Sequence, residues 1–202
     1  MTRDASLGWD AVADEFAAIR ARSDTGLGVV EGWAARLSPR SSQGGAVLDA
    51  GAGSGAPLTR MLVERGFDVF AIDPSPRMAA MLREHLPADR VACEPAQTSR
   101  CFERRFDGVL AAGLVFLLDP PDQRALIARL AAAVKPGGRL LFTAPWPVCA
   151  WADLLTGRRS VSLGAEAYER LIAQAGLTLV AQHLDEGGNH YFEAQRDQAS
   201  GS

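Results

Sequence analysis

Cysteine is scarce in this sequence. Cys93, Cys101 and Cys149 are odd in number and form no C-x-x-C pair, which argues against a disulfide framework and a zinc knuckle, leaves no expected metal site, and points to a reducing, cytoplasmic setting. Long apolar runs are missing too. The longest, Gly108 to Leu118, has eleven residues between two aspartates, about half of what a membrane span needs. The start, Met1 to Asp14, has no basic stretch followed by an apolar one, so neither a leader nor a membrane anchor is expected. Charge of one sign is not in excess: 21 Lys plus Arg against 24 Asp plus Glu give −3, scattered along the chain. Neither nucleic acid nor an anionic membrane surface is therefore an expected partner. The oligomeric state is left open.

What is present is a chain of 202 residues, 48% apolar, which fits one globular domain with a core large enough to fold without covalent staples. Residues 1–40 read as a helical lead-in, because Trp9, Val12, Ala13, Phe16 and Ile19 fall on one helical face. Ser38 to Gly45 reads as a loop, 46–195 as the core, and 196–202 as a flexible tail. Within the core, strands are expected from Ala46, at Asp68–Ile72, Arg90–Glu94, Phe106–Ala112, Arg139–Thr143, Thr178–Leu184 and Tyr191–Gln195. Helices are expected at Ala56–Arg65, Ser75–Leu86, Asp122–Val134 and Gly164–Ala175. The Lys135-Pro136-Gly137-Gly138 run reads as a turn. Repeated strand–helix–strand units imply a doubly wound α/β fold. Its seven-stranded sheet would be mainly parallel and closed by a C-terminal antiparallel hairpin strand, with ligands at the carboxyl ends of the strands.

The first loop at that rim is Asp49-Ala50-Gly51-Ala52-Gly53-Ser54-Gly55, between a strand and a helix. Its glycines permit positive φ and close backbone approach to a ligand. Asp73 follows at the end of the second strand, where a carboxylate can accept hydrogen bonds from ribose hydroxyls; it can also cap the helix beginning near Ser75. The glycine string by itself would satisfy a nicotinamide fingerprint as well, so a nicotinamide-dependent oxidoreductase is one alternative. Against it, no tyrosine is followed four residues later by lysine, and Lys135 is the only lysine.

The chain resembles the class I S-adenosylmethionine-dependent methyltransferases in Asp49 with Gly51, Gly53 and Gly55, in Phe70-Ala71-Ile72-Asp73-Pro74-Ser75-Pro76-Arg77-Met78, in Phe106 to Leu110 and in Val134 to Gly138. The resemblance runs from about Trp9 to Gln195. It implies a Rossmann-like fold and S-adenosylmethionine as cofactor. By that resemblance the backbone around Gly51 and Gly53 holds the methionine moiety, Asp73 with Pro74 the ribose side, and Met78 packs on adenine. Pro95, Ala96 and Gln97 would line the adenine edge, while Ala111 and Leu114 supply backbone and packing contacts. Where the family often carries a polar catalytic group, this chain has Ala111-Ala112-Gly113-Leu114. That departure weighs against nucleic-acid base methylation and leaves a non-catalytic binding domain as a second alternative.

For the acceptor, the turn Asp185 to His190 lies at the same rim. His190 is the candidate base and Tyr191 an orienting group, because imidazole titrates near working pH; a solvated hairpin position is the other reading of His190. Ala144 to Gly164 is longer than an ordinary connection and reads as a lid. Trp146 and Trp151 could face an aromatic acceptor there, or pack in the core. Phe16 could close over the cofactor from the lead-in helix. The expected reaction is methyl transfer to an oxygen or nitrogen of a small, aromatic-containing molecule.

Overall fold

The computed structural model describes residues 5–37 and 44–198, with side chains from Gly8 onward. Most of the loop expected at Ser38–Gly45, namely 38–43, and the tail positions 199–202 lie outside the described residues. A 3₁₀ turn, Ala5–Val12, leads into α1 (Ala13–Arg20) and α2 (Leu27–Ala34), then β1 (Ala46–Ala50), α3 (Leu58–Glu64), β2 (Asp68–Ile72) and α4 (Pro76–Leu82). There follow β3 (Val91–Ala92), β4 (Phe106–Ala111), α5 (Pro120–Ala132), β5 (Val134–Thr143), β6 (Val148–Ala152), β7 (Arg159–Leu163), α6 (Ala165–Gln174), β8 (Thr178–Leu184) and β9 (His190–Gln195). The main sheet has seven strands in the order β3-β2-β1-β4-β5-β9-β8. β9 runs antiparallel to both neighbours while β1 to β5 pair parallel. This is the doubly wound architecture that alternation of strand and helix requires.

Every residue of β1 and β4 is buried, as expected of parallel strands covered on both faces. One face carries Leu48, Val109, Phe142 and Phe192 against Leu126, Leu130, Tyr168 and Ile172 of α5 and α6. The other carries Val47, Leu110, Leu141 and Tyr191 against Val30 and Trp33 of α2 and Leu58 and Leu62 of α3. α4 starts where Ser75 Oγ accepts from the Met78 N–H at 3.1 Å, with Pro76 at the first position. Ser75 is thus the cap, and Asp73 supports it by accepting from the Ser75 N–H at 2.9 Å. Among the described residues no helix is long and apolar enough to cross a membrane.

Three boundaries differ from expectation. The Lys135–Gly138 run falls within β5 but as a bulge, with a positive φ of +76° at Gly137. A register shift between Phe106 and Gly108 accommodates it, as bulges do, and Lys135 Nζ sits 2.8 Å from Asp107 Oδ2, which also accepts from the Ala46 N–H at 2.8 Å. Arg196, expected in a flexible tail, donates to Ala131 O at 2.7 Å and Val134 O at 3.1 Å. The stretch 144–164 is not an irregular lid but a two-stranded antiparallel arm of β6 and β7. Buried Gln123 of α5 anchors it: its Nε2 donates to Val161 O at 2.8 Å, and its Oε1 accepts from Tyr168 Oη, which in turn accepts from the Leu163 N–H.

The lead-in helices are fastened to the sheet by a buried carboxylate. Glu193 of β9 is fully buried and accepts from Arg36 Nη2 at 2.6 Å and Arg139 Nη1 at 2.6 Å, with His183 Nε2 at 2.7 Å. Burial alone would raise its pKa, but the hydrogen bonds from Arg36, His183 and Arg139 outweigh it and hold the carboxyl below its ordinary value. A carboxyl depressed in the folded state contributes stability above its unfolded pKa and loses it as pH falls through the folded one. Replacing Glu193 by Leu removes the partner of Arg139 and of Arg36, whose side chain is 41% exposed, and should cost about 1–3 kcal/mol in urea denaturation. The wild type should also show an acid loss of stability, below about pH 4, that the variant lacks.

Candidate functional site

The site is built where β1 and β4, neighbours in the sheet, send their following loops to opposite faces, the crevice in which open α/β sheets bind ligands. After β1, the Gly51 and Ala52 N–H groups both donate to Ile72 O, at 2.8 and 3.2 Å, so the first loop is tied to the end of β2. Gly53 then donates its N–H to Asp73 Oδ2 at 2.9 Å. Gly51 and Gly53 have φ of +73° and +59°. A Cβ at Gly51 would come to 3.0 Å from Leu114, and one at Gly53 to 3.1 Å from the Phe16 ring. The loop therefore needs glycine twice over, for its backbone angles and for the close approach of its neighbours.

Above the loop lies a cavity of about 240 Å³. Asp49, Gly51, Gly53 and Asp73 form its floor, and Pro74 and Met78 one end. Trp9, Phe16 and Arg20 roof it from the lead-in, while Leu114, Phe116 and Leu117 form a side wall after β4. Thr25, Asn189 and Tyr191 close the far end, and Asp153 at the tip of the β6–β7 arm also lines the cavity. Trp9 and Phe16 meet edge to face at 4.9 Å. Asp10 Oδ1 holds this roof to α4 by accepting from Ser75 Oγ at 2.6 Å and the Arg77 N–H at 3.1 Å.

Two groups in the wall have displaced titrations. Asp49 is 3% exposed, and burial pushes its carboxyl up to about 6; the Thr59 hydroxyl, donating at 2.6 Å, opposes this and the neighbouring Asp73 charge adds to it. Tyr191 is raised well above the ordinary phenol range, first by burial and then by the Asp185 carboxylate to which its hydroxyl donates at 3.1 Å.

Asp49, Gly51, Gly53, Asp73, Pro74, Met78, Leu114, Phe16 and Tyr191 thus meet around one cavity, and the other sequence candidates do not line it. His190 stacks on Trp146 at 4.0 Å, and its Nδ1 accepts from the Trp146 backbone N–H at 2.9 Å. Accepting there leaves the ring's proton on Nε2, so the neutral imidazole has no lone pair to offer an acceptor, and the base assignment moves off His190. Trp146 is occupied by that stack, and Trp151 lies behind Phe116 at 5.3 Å. Ala96 is buried in the core and Gln97 O accepts from Arg129 Nε at 2.9 Å, which with Pro95 leaves this loop outside the wall. Gly55 serves packing, since a Cβ there would come to 2.9 Å from Leu82 of α4. Ala111 is buried inside the sheet, and it is Ala112 that borders the cavity. Arg20, Thr25, Phe116, Thr143 and Asp153 are lining residues that the sequence reading missed. Arg20 carried a signal, four residues after Phe16 on the same helical face, and so did Thr143, the last residue of an expected strand at the ligand rim.

The chain matches a family model described as a methyltransferase domain over residues 27–182. An uncharacterized methyltransferase of Mycobacterium bovis is 44% identical over 94 residues, 46% of this chain and 37% of the relative. The match thus spans little more than a third of the curated relative's length. Two of the solved structures that share the fold are enzymes crystallised with the cofactor or its product. One is the Burkholderia thailandensis 1,6-didemethyltoxoflavin-N1-methyltransferase with bound 1,6-didemethyltoxoflavin and S-adenosylhomocysteine (TM-score 0.70, 22% identity, 96% of this chain and 88% of that one). The other is an amino pentose methyltransferase from Micromonospora echinaspora bound to S-adenosylmethionine (TM-score 0.70, 22% identity, 90% and 96%).

The Asp49 environment makes a stability prediction. A carboxyl raised in the folded state binds its proton more tightly there than in the unfolded chain, so stability falls as pH rises from about 4, its unfolded value, to about 6. Asp49→Asn should remove that loss and be more stable than wild type at pH 7 by about 2–3 kcal/mol. Thermal melts across pH 4–7 that stay parallel in the two proteins would refute the assignment.

Proposed function

The chain belongs to the methyltransferase-domain family, and from that premise we propose that it moves a methyl group from S-adenosylmethionine to a nitrogen or oxygen of a small, partly aromatic molecule. The observation that carries this reading is the cavity over the glycine loop. Its floor exposes backbone where no Cβ fits, and beside it stands the Asp73 carboxylate, positioned by the Gly53 and Ser75 N–H groups. The donor set fits the cofactor group by group. Asp73 would accept from the ribose hydroxyls, and Met78 with Pro74 would cover adenine. The backbone of Gly51 and Gly53 would hold the methionine portion, whose carboxylate Arg20 would meet. Asp49 would face its positive charge, and that charge would favour the ionised carboxylate which burial disfavours.

When bound, S-adenosylmethionine supplies an electrophilic methyl group on a cationic sulfonium. The chain's own part is alignment and exclusion of water. Trp9 and Phe16 cover the floor, and Phe116 and Leu117 offer an apolar wall to an aromatic acceptor. Thr25, Asn189 and Tyr191 provide polar contacts at the opposite end. A few polar groups within apolar walls are the usual make-up of a small-molecule site. The scattered charge and net −3 favour such an acceptor over nucleic acid.

Calorimetric titration with S-adenosylmethionine, S-adenosylhomocysteine and NADH separates the readings. The first two should bind saturably and NADH should not; NADH binding alone would replace this proposal with an oxidoreductase. Asp73→Ala should weaken S-adenosylhomocysteine binding by about 1.5–3 kcal/mol, the worth of a charged hydrogen-bonding partner. The two solved enzymes are named for 1,6-didemethyltoxoflavin and an amino pentose. The acceptor screen, read as S-adenosylhomocysteine release, therefore spans phenols, N-heterocycles and amino sugars. Cofactor binding with no turnover across that panel would favour a non-catalytic binding domain.

A further inference from the structure

The far end of the cavity holds a hydrogen-bonded chain that alignment alone does not require. Asp185, at the end of β8, is 6% exposed. Its Oδ1 accepts from the Gly187 N–H at 2.9 Å and the Asn189 N–H at 2.8 Å, and Asn189 Nδ2 reaches both of its oxygens at 3.1 and 3.0 Å. The carboxylate is thereby fixed in one orientation, with Oδ2 toward Tyr191 Oη. On the other side of the hydroxyl lies Gly26, where a Cβ would come to 2.3 Å from Tyr191 Oη and where φ is +84°. Only glycine leaves room for the phenol there. Glu186 Oε1 accepts from the Gly26 N–H at 3.1 Å and secures that approach. Thr25, next to Gly26, and Asn189 line the cavity together with Tyr191.

A phenol has one proton and two lone pairs. Tyr191 commits its proton to Asp185, so its hydroxyl can otherwise only accept. The charged groups acting on it are Asp185 and Glu186 from the turn and Arg20 from α1. With the methyltransferase reading as premise, we propose that Tyr191 is the catalytic proton acceptor, that Asp185 is the positioning residue receiving the relayed proton, and that the methyl acceptor is consequently a hydroxyl, phenol or N–H nucleophile. As the new carbon–oxygen or carbon–nitrogen bond forms, the carbon–sulfur bond breaks and its electron pair stays on sulfur. The acceptor's proton moves to Tyr191 Oη while the tyrosine's own proton moves to Asp185 Oδ2. Asp185 then returns it to water at the exposed turn formed by Glu186, Gly187 and Gly188.

The relay has a readout that needs no acceptor. Tyr168 and Tyr191 are the only two tyrosines, so in Tyr168→Phe the tyrosinate absorbance at 295 nm reports Tyr191 alone. Its midpoint should lie above the ordinary value near 10, and adding Asp185→Asn should lower it by at least one pH unit. An unchanged midpoint would break the pair. Subtracting the Tyr191→Phe titration from wild type gives the same curve should Tyr168→Phe fold poorly. With the acceptors returned by the screen, Tyr191→Phe should lose about a hundredfold in kcat at pH 7, typical of acid–base catalysis. The S-adenosylhomocysteine dissociation constant should stay within twofold, and the deficit should shrink toward the pH at which the acceptor ionises unaided. A deficit equal at all pH values would make Tyr191 a packing residue and overturn the proposal. Failure of S-adenosylmethionine to bind wild type would instead remove the methyltransferase premise, leaving the phenol titration to judge the pair by itself.

Discussion

Two carboxylates side by side on a cavity floor set the electrostatic problem that the rest of this molecule answers. Asp49 lies beneath the glycine loop, out of water, with one hydroxyl donor; Asp73 lies at the next strand end and accepts from two backbone N–H groups. The unequal satisfaction divides their behaviour. Asp73 is held by oriented donors, whereas Asp49 bears a desolvation cost that its single partner only partly offsets. Under the proposed function, the cofactor's positive charge above the loop would offset that cost.

The walls around that floor come from distant parts of the chain, and each is secured by polar groups buried away from the site. The roof residues Trp9, Phe16 and Arg20 precede the first strand; the helix after them is clamped to β9 through Arg36 and Glu193. The arm of β6 and β7 is held by Gln123 and Tyr168. Buried hydrogen bonds of this kind are costly to break on one side only, which makes them effective at specifying a single docking position. The two covers also meet: a Cβ at Gly8 would fall 2.3 Å from Arg158 Nε at the tip of the arm. Enclosure of the cavity is a joint product of the lead-in and the β6–β7 arm.

Much of the fold was legible because its signals are local. Continuous apolar runs at β1 and β4, helical stripes between them, and glycine or proline at the boundaries are each read within a window of ten or so residues. The misreadings arose where a local signal met a long-range partner. Pro136, Gly137 and Gly138 look like a turn, yet β4 draws this stretch into β5 through a bulge and the Lys135–Asp107 pair. The segment 144–164 looks like a loop, yet its hydrogen bonds are satisfied across itself and by one buried glutamine from α5.

The same division runs through the site. The glycines, Asp73 and the strand–turn–helix around them were determined by the sequence alone, because backbone angle, helix start and position at a strand end depend on neighbours a few residues away. The different surroundings of His190 and Tyr191 were decided only by tertiary structure. Adjacent residues on a strand point to opposite faces. Which face meets the cavity depended on Trp146 taking the imidazole on one side and on Gly26 and Asp185 leaving a fitted space for the phenol on the other.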